Sequence, residues 1–308
     1  MDIDYFRTIP VGRKTPRVDL KNETKLKADQ NVADEYFSHT IKDIDPHFIS
    51  EIFFLNCYAH NVGMVPAMQI HMRLEGDISD MQRQVDRINA TNDWRASPHA
   101  ALFSAALERT KKQIEEAHSL EAAMEAVMYD RLAQEKSLDF LGFVANWLLR
   151  VADRKHAHPQ KTIHLPLREE VPIEWRCLPQ FLFEIITDHL LYIMRYINLS
   201  DCADGRAPDY MGNRPRPELI ILALTFIGPS GSPYIQNPHL KAKLAEMLYW
   251  GTLKHHRYTY GLFGEVLNSN SFALEWAFPS VMSFYIGQPP HAISNDRGGA
   301  HRTPYAIL

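Results

Sequence analysis

The stretch from Tyr234 to Trp250, YIQNPHLKAKLAEMLYW, leaves its backbone one good option. Asn237 followed by Pro238 reads as a helix start. The Asn side chain accepts from an orphan backbone N–H, and proline at the first helical position gives up a donor that has no partner there. Leu240, Leu244, Met247 and Leu248 then recur at three- and four-residue steps on one face, with Lys241, Lys243 and Glu246 between them. The rest of the chain repeats this texture. Asp45-Pro46 is a second cap-plus-proline pair, followed by Phe48, Ile52, Leu55, Ala59 and Val62 at steps of four and three, expected to form a core stripe. Gly63 and Pro66 should stop or kink that helix.

Further helices follow. One over roughly 67–91 carries Met68, Met72, Ile78, Met81, Val85 and Ile88. Ser97-Pro98 opens another, to about Asp130, whose middle, ERTKKQIEEAH, reads as a solvated stretch or the tip of an antiparallel hairpin. Leu132, Leu138, Leu141, Val144, Ala145, Leu148 and Leu149 continue the pattern over 131–152, anchored by Trp147. Prolines 159, 166, 172 and 179 leave no room for a helix of normal length, so 156–179 is a linker or a cover. From Cys177 to Leu199, Leu182, Ile186, Leu190, Ile193 and Ile197 are flanked by Phe181, Phe183 and Leu191, which implies burial on two faces. A loop with Gly205, Pro208, Gly212 and Pro215 leads to a short helix, Pro217 to Ile227, then GPSGSP turns into the helix of 234–250. Helices over 258–267 and 272–286 complete the set. Almost no stretch reads as a strand, and the expected fold class is all-α. Residues 1–44 are polar, with Arg13, Lys14 and Arg17 near the front, and read as a loosely attached arm.

The totals exclude several classes of function. A net charge of −4 implies no general affinity for nucleic acid or anionic lipid. The most apolar run, Leu219 to Ile227, is too short to cross a bilayer. Three separated cysteines, Cys57, Cys177 and Cys202, form no pair motif. With no secretory signal at the start, a cytosolic or nuclear setting is expected.

No catalytic, cofactor-binding or metal-ligating residue stands out. His156-x-His158 and His255-His256 lack zinc spacing, and His60, His71 and His189 read as helix-face residues. Cys177 precedes a helix, where the dipole lowers a thiol pKa, although a small buried residue is the simpler reading. GPSGS lacks the features of a nucleophile elbow or a Walker loop, and Glu115-Glu116 and Glu169-Glu170 read as solvated.

Several stretches share their wording with a known family. RVDLKNETKLKAD, FISEIFFLNCYAHNVGMVPAMQ, LPQFLFEIITDHLLYIMRY, NPHLKAKLAEML and SFALEWAFPSVMSFYIG together resemble the ubiquitin elongating factor core. That is the large helical domain of the U-box ubiquitin ligases that extend ubiquitin chains. The resemblance runs from about Asp4 to Ile286, strongest at 48–68, 178–196, 234–250 and 271–286. It implies an armadillo-like helical-repeat solenoid of long antiparallel helices over 45–286. By resemblance its partners are ubiquitinated substrates and a hexameric AAA unfoldase, with a conjugating enzyme recruited only through a C-terminal U-box, and with no catalytic cysteine and no cofactor. The wording departs at Gly287-Gln288, and 287–308, with Pro289, Pro290, Gly298 and Gly299, reads as a divergent, disordered tail. The expectation is a truncated or divergently ended member without its U-box, or a lost reading frame, acting as core scaffold in polyubiquitination and proteasomal degradation. The alternative is an unrelated, non-catalytic helical-repeat scaffold for protein interactions. A helical enzyme with a hidden His/Asp site ranks last.

Overall fold

The computed structural model describes residues 3–12, 14, 20, 23–42, 45–91, 93–156, 158, 160–200, 216–254 and 259–287, with side chains left aside at 3, 93, 156, 196–200 and 287. The expected loop at 205–215, the tail at 288–308, Cys202, His255 and His256 lie outside the described residues. The described chain is dominated by helices, in keeping with the all-α expectation. They are α1 (Gln30–Ser38), α2 (Phe48–Ala59), α3 (Val65–Thr91), α4 (Ala100–Met128), α5 (Arg131–Ala152), α6 (Ile173–Arg176), α7 (Phe181–Ser200), α8 (Pro217–Ile227), α9 (Pro238–Thr252), α10 (Gly264–Ser269) and α11 (Ser271–Gly287). Two strands of two residues each, β1 (Thr8–Ile9) and β2 (Ile41–Lys42), pair in parallel. No described helix is long and apolar enough to cross a membrane.

The chain divides into two compact units, Met1–Asn61 with Ser137–Leu308, and Val62–Lys136. The smaller unit is built on the α3–α4 hairpin. Val85, Leu107 and Ile114 form its apolar seam, with Met81, Ile88 and Trp94 packed against them. At the other end His71 meets Tyr129 edge-on at 5.9 Å, so the two helices run antiparallel. The charged run Glu108–His118 lies in the middle of α4, not at the hairpin tip, and is solvated on every turn except at Ile114. Asp130 stops α4 and starts α5, accepting from the Ala133 N–H at 2.8 Å. The α-helix α2 ends at Ala59, before Gly63; a single π-helical turn, His60–Met64, follows it, and Pro66 falls in the first turn of α3.

In the larger unit α7 packs on α9, α9 on α8, and α8 on α11 and α10. Leu240, Leu244, Met247 and Leu248 of α9 are buried as their spacing requires, and the Asn237 side chain accepts from the His239 N–H at 2.9 Å. In α8 every residue from Leu219 to Ile227 except Ile221 is buried, which makes this helix the centre of the layer. Trp175, on the one-turn α6, joins α7, α8 and the turn before α9. Its ring stacks on Phe226 at 4.8 Å and meets Phe183 edge-on, and its indole N–H donates to the Tyr234 carbonyl at 3.0 Å. The Tyr234 hydroxyl donates in turn to the Arg168 carbonyl at 2.8 Å, so the proline-rich stretch is tied down as a cover.

Three expectations are corrected. The described part of residues 1–44 is not loosely attached. Leu26 is fully buried, its N–H donates to Leu178 O at 2.9 Å, and its carbonyl accepts from the Gln236 N–H at 3.0 Å. Ala28 N–H donates to Arg176 O, and Gln180 N–H to Thr24 O. The segment is an extended strap whose backbone joins the entries to α7 and α9, and a strap carries no helical periodicity to read. In α2 the stripe Phe48, Ile52, Leu55 and Ala59 faces solvent. The buried face is Ser50, Phe53, Phe54 and Cys57, because Tyr5 stacks on Phe54 at 4.5 Å and Trp147 meets Phe53 at 5.4 Å. The cap of α2 is His47, which accepts from the Ile49 N–H, rather than Asp45.

Candidate interaction surfaces

Among the described residues, the polar side chains singled out from the sequence do not converge on a reactive centre. Cys177 is buried, and burial pushes its thiol up to about 11, the opposite of activation at a helix start; Arg176, Lys25 and Arg7 pull it back only in part. Cys57 is buried and its thiol is likewise raised by desolvation. His60 and His189 pack at 6.1 Å between ring centroids, with Phe140 against His60. Burial lowers both imidazoles, His189 to about 3, with His60 adding to the effect. Both are neutral at pH 7 and belong to the core. His71 is buried in the helical hairpin, Glu115, Glu116, Glu169 and Glu170 are exposed, and residues 228–233 form a tight turn. Gly231 is needed in that turn because a Cβ there would come within 1.9 Å of the Thr225 carbonyl oxygen. Among the described residues, no group of three or more His, Cys, Asp or Glu side chains is placed to hold a metal ion.

Ion pairs tie the helices of the larger unit to one another. Lys243 of α9 pairs with Asp188 of α7 at 2.7 Å and lies 3.9 Å from Glu184. Burial raises the Asp188 carboxyl above its usual range, and Lys243 opposes that shift. One turn further, Arg195 of α7 pairs with Glu246 of α9 at 2.7 Å, and Trp250 donates its indole N–H to the same carboxylate at 3.2 Å. Arg216, at the start of α8, grips Asp139 of α5 through two nitrogens at 2.8 and 3.1 Å. These links hold the helices in register.

On this frame two helices present large apolar side chains to solvent. In α2, Phe48, Ile49, Ile52 (59% exposed), Leu55 (65%) and Tyr58 make a continuous outer face. In α11, Leu274, Phe278 (75%), Val281, Met282, Tyr285 and Ile286 (76%) do the same. Scattered exposed apolar residues are ordinary, whereas contiguous helical faces of this kind mark contact surfaces. The expectation that α2's stripe lies in the core missed one of these two faces, and the signal that separates them is the set of aromatic partners, Tyr5, Phe6 and Trp147, on distant segments.

The model of the family described as ubiquitin elongating factor core matches residues 1–289. A ubiquitin conjugation factor E4 of Schizosaccharomyces pombe is 30% identical over 288 residues, which cover 93% of this chain and 26% of that protein. An E4 ubiquitin-protein ligase of Saccharomyces cerevisiae is 23% identical over 307 residues, covering 93% of this chain and 30% of its own length. A probable ubiquitin conjugation factor E4 of Arabidopsis thaliana is 23% identical over 202 residues, 65% of this chain. The chain thus spans between a quarter and a third of the length of the two yeast relatives.

Proposed function

The chain belongs to the ubiquitin elongating factor core family, and on that premise we propose that it is the partner-holding part of a ubiquitin chain-elongation machine. It acts in polyubiquitination by positioning proteins and not by making bonds with its own side chains. The observation that carries this reading is the family match over the whole described chain, on a helical frame where α2 and α11 turn apolar faces outward and where the Cys57 and Cys177 thiols are buried and raised. The stacking of α7, α9, α8 and α11 supports an armadillo-like solenoid, in which successive helix pairs offer an extended surface to other proteins. Ubiquitinated substrates and a hexameric unfoldase are the partners this reading assigns to it, in the cytosol or nucleus.

The test is a reconstitution. Purified chain is added to activating enzyme, conjugating enzyme, ubiquitin and a substrate carrying one ubiquitin. The expected result is retention of the ubiquitinated substrate on immobilised chain with no lengthening of the ubiquitin chain. Robust lengthening by this chain alone contradicts the non-catalytic reading. Absence of any retention, of substrate or of unfoldase, favours the alternative of a helical scaffold outside this pathway.

A further inference from the structure

The strap and the turn before α9 bring two cations, Lys27 and Lys241, onto adjacent residues. Lys241, in the first turns of α9, donates its ammonium to the Ser232 hydroxyl at 2.9 Å. Lys27, on the buried strap, donates to the carbonyl of the next residue, Pro233. Both lysines are partly buried, and their neighbours on the strap and the turn offer them neutral oxygens only. Among the described residues neither ammonium meets a carboxylate, whereas Lys243, two positions along α9, has both Asp188 and Glu184. The Lys241 ammonium is accordingly lowered below its ordinary value, by burial first and then by repulsion from Lys27. Two like charges anchored on adjacent residues of one turn, one on the Ser232 hydroxyl and one on the Pro233 carbonyl, repel each other unless an anion sits between them.

We propose that Lys27, Lys241 and Ser232 form a seat for a dianionic phosphate group. Two ammoniums match its two negative charges at pH 7, and three donors on different segments suit a tetrahedral set of acceptor oxygens better than the flat pair of a carboxylate. The seat joins the strap to α9, so a bound phosphate also pins the strap to the helical layer.

The test compares inorganic phosphate and a phosphoserine peptide with chloride at matched ionic strength, using calorimetric titration and thermal melting of the whole chain. Phosphate raises the melting temperature and chloride does not. K27Q and K241Q each weaken binding about tenfold, the loss expected for one charge-assisted hydrogen bond. Lys27 is bonded to one carbonyl and is partly exposed, so K27Q keeps the fold, which melting in chloride verifies. Equal affinity for inorganic phosphate and for the peptide assigns the seat to the free anion; markedly tighter binding of the peptide assigns it to a phosphorylated protein segment. Stabilisation by phosphate no greater than by chloride overturns the proposal, and so does phosphate binding that survives unchanged in the K27Q/K241Q double variant.

Discussion

Trp175 shows how much of this molecule rests on single side chains outside the long helices. It sits on a four-residue helix, is fully buried, and touches elements far apart in sequence. Trp175→Ala should cost about 3–5 kcal/mol, measured by urea denaturation, because neighbouring rings cannot close the cavity. The Asn237 cap is a smaller and cleaner case: Asn237→Ala should cost about 1 kcal/mol and Asn237→Gly only a few tenths. Asn237 was legible in the sequence because the cap and the proline are local. Trp175 was not, because its importance lies in Phe183, Phe226 and Tyr234, which periodicity cannot bring to it. His189 sets a pH dependence. Its folded pKa, about 3, lies below the unfolded value of about 6.5, so between those values the unfolded state binds more protons. Stability contributed by the neutral ring is present above about pH 6.5 and is lost as pH falls toward 3, by at most about 1.4 kcal/mol per pH unit. His189→Gln should flatten the difference in stability between pH 7 and pH 5; equal slopes in the two proteins contradict the assignment.

At the scale of the element, α2 separates pattern from burial. It carries two faces with helical spacing, one with Phe48, Ile52 and Leu55 and one with Phe53, Phe54 and Cys57. The period identifies the helix, but which face goes inward is decided by Tyr5, Phe6 and Trp147, supplied by an amino-terminal turn and by α5. Replacing Ile52 and Leu55 with serine should change stability by no more than about 0.5 kcal/mol each, whereas Phe54→Ala should cost about 3–5 kcal/mol, both read from denaturant midpoints. Near α9 the limiting factor is close approach. A Cβ on Gly251 would lie 2.2 Å from the buried Phe263 ring, so Gly251→Ala should cost about 1–3 kcal/mol through overpacking. The strap escaped a reading by period for the same reason as α2's inner face: its partners are backbone groups of Arg176, Leu178, Gln180 and Gln236, and an extended segment announces none of them.

For the whole molecule, helix content and the order of the helices were readable because each long element carries its own stripe. The division into units was not, since a hairpin of 27- and 29-residue helices looks from its sequence like any other pair. That hairpin buries little: Val85, Leu107 and Ile114 form its seam, and most of α4 is solvated. Amides of 62–136 should therefore exchange with deuterium faster than those of α7, α8 and α9, which lie in the dense layer. The proposed function, that the chain grips other proteins in ubiquitin chain elongation, draws on family membership and on the outward apolar faces of α2 and α11. The most direct measurement is retention of a polyubiquitinated substrate on the immobilised chain, set against the same substrate unmodified. The account predicts selective retention of the ubiquitinated form, weakened when Ile52, Leu55 and Phe278 are made polar without loss of fold. Equal retention of both forms, or none of either, contradicts it.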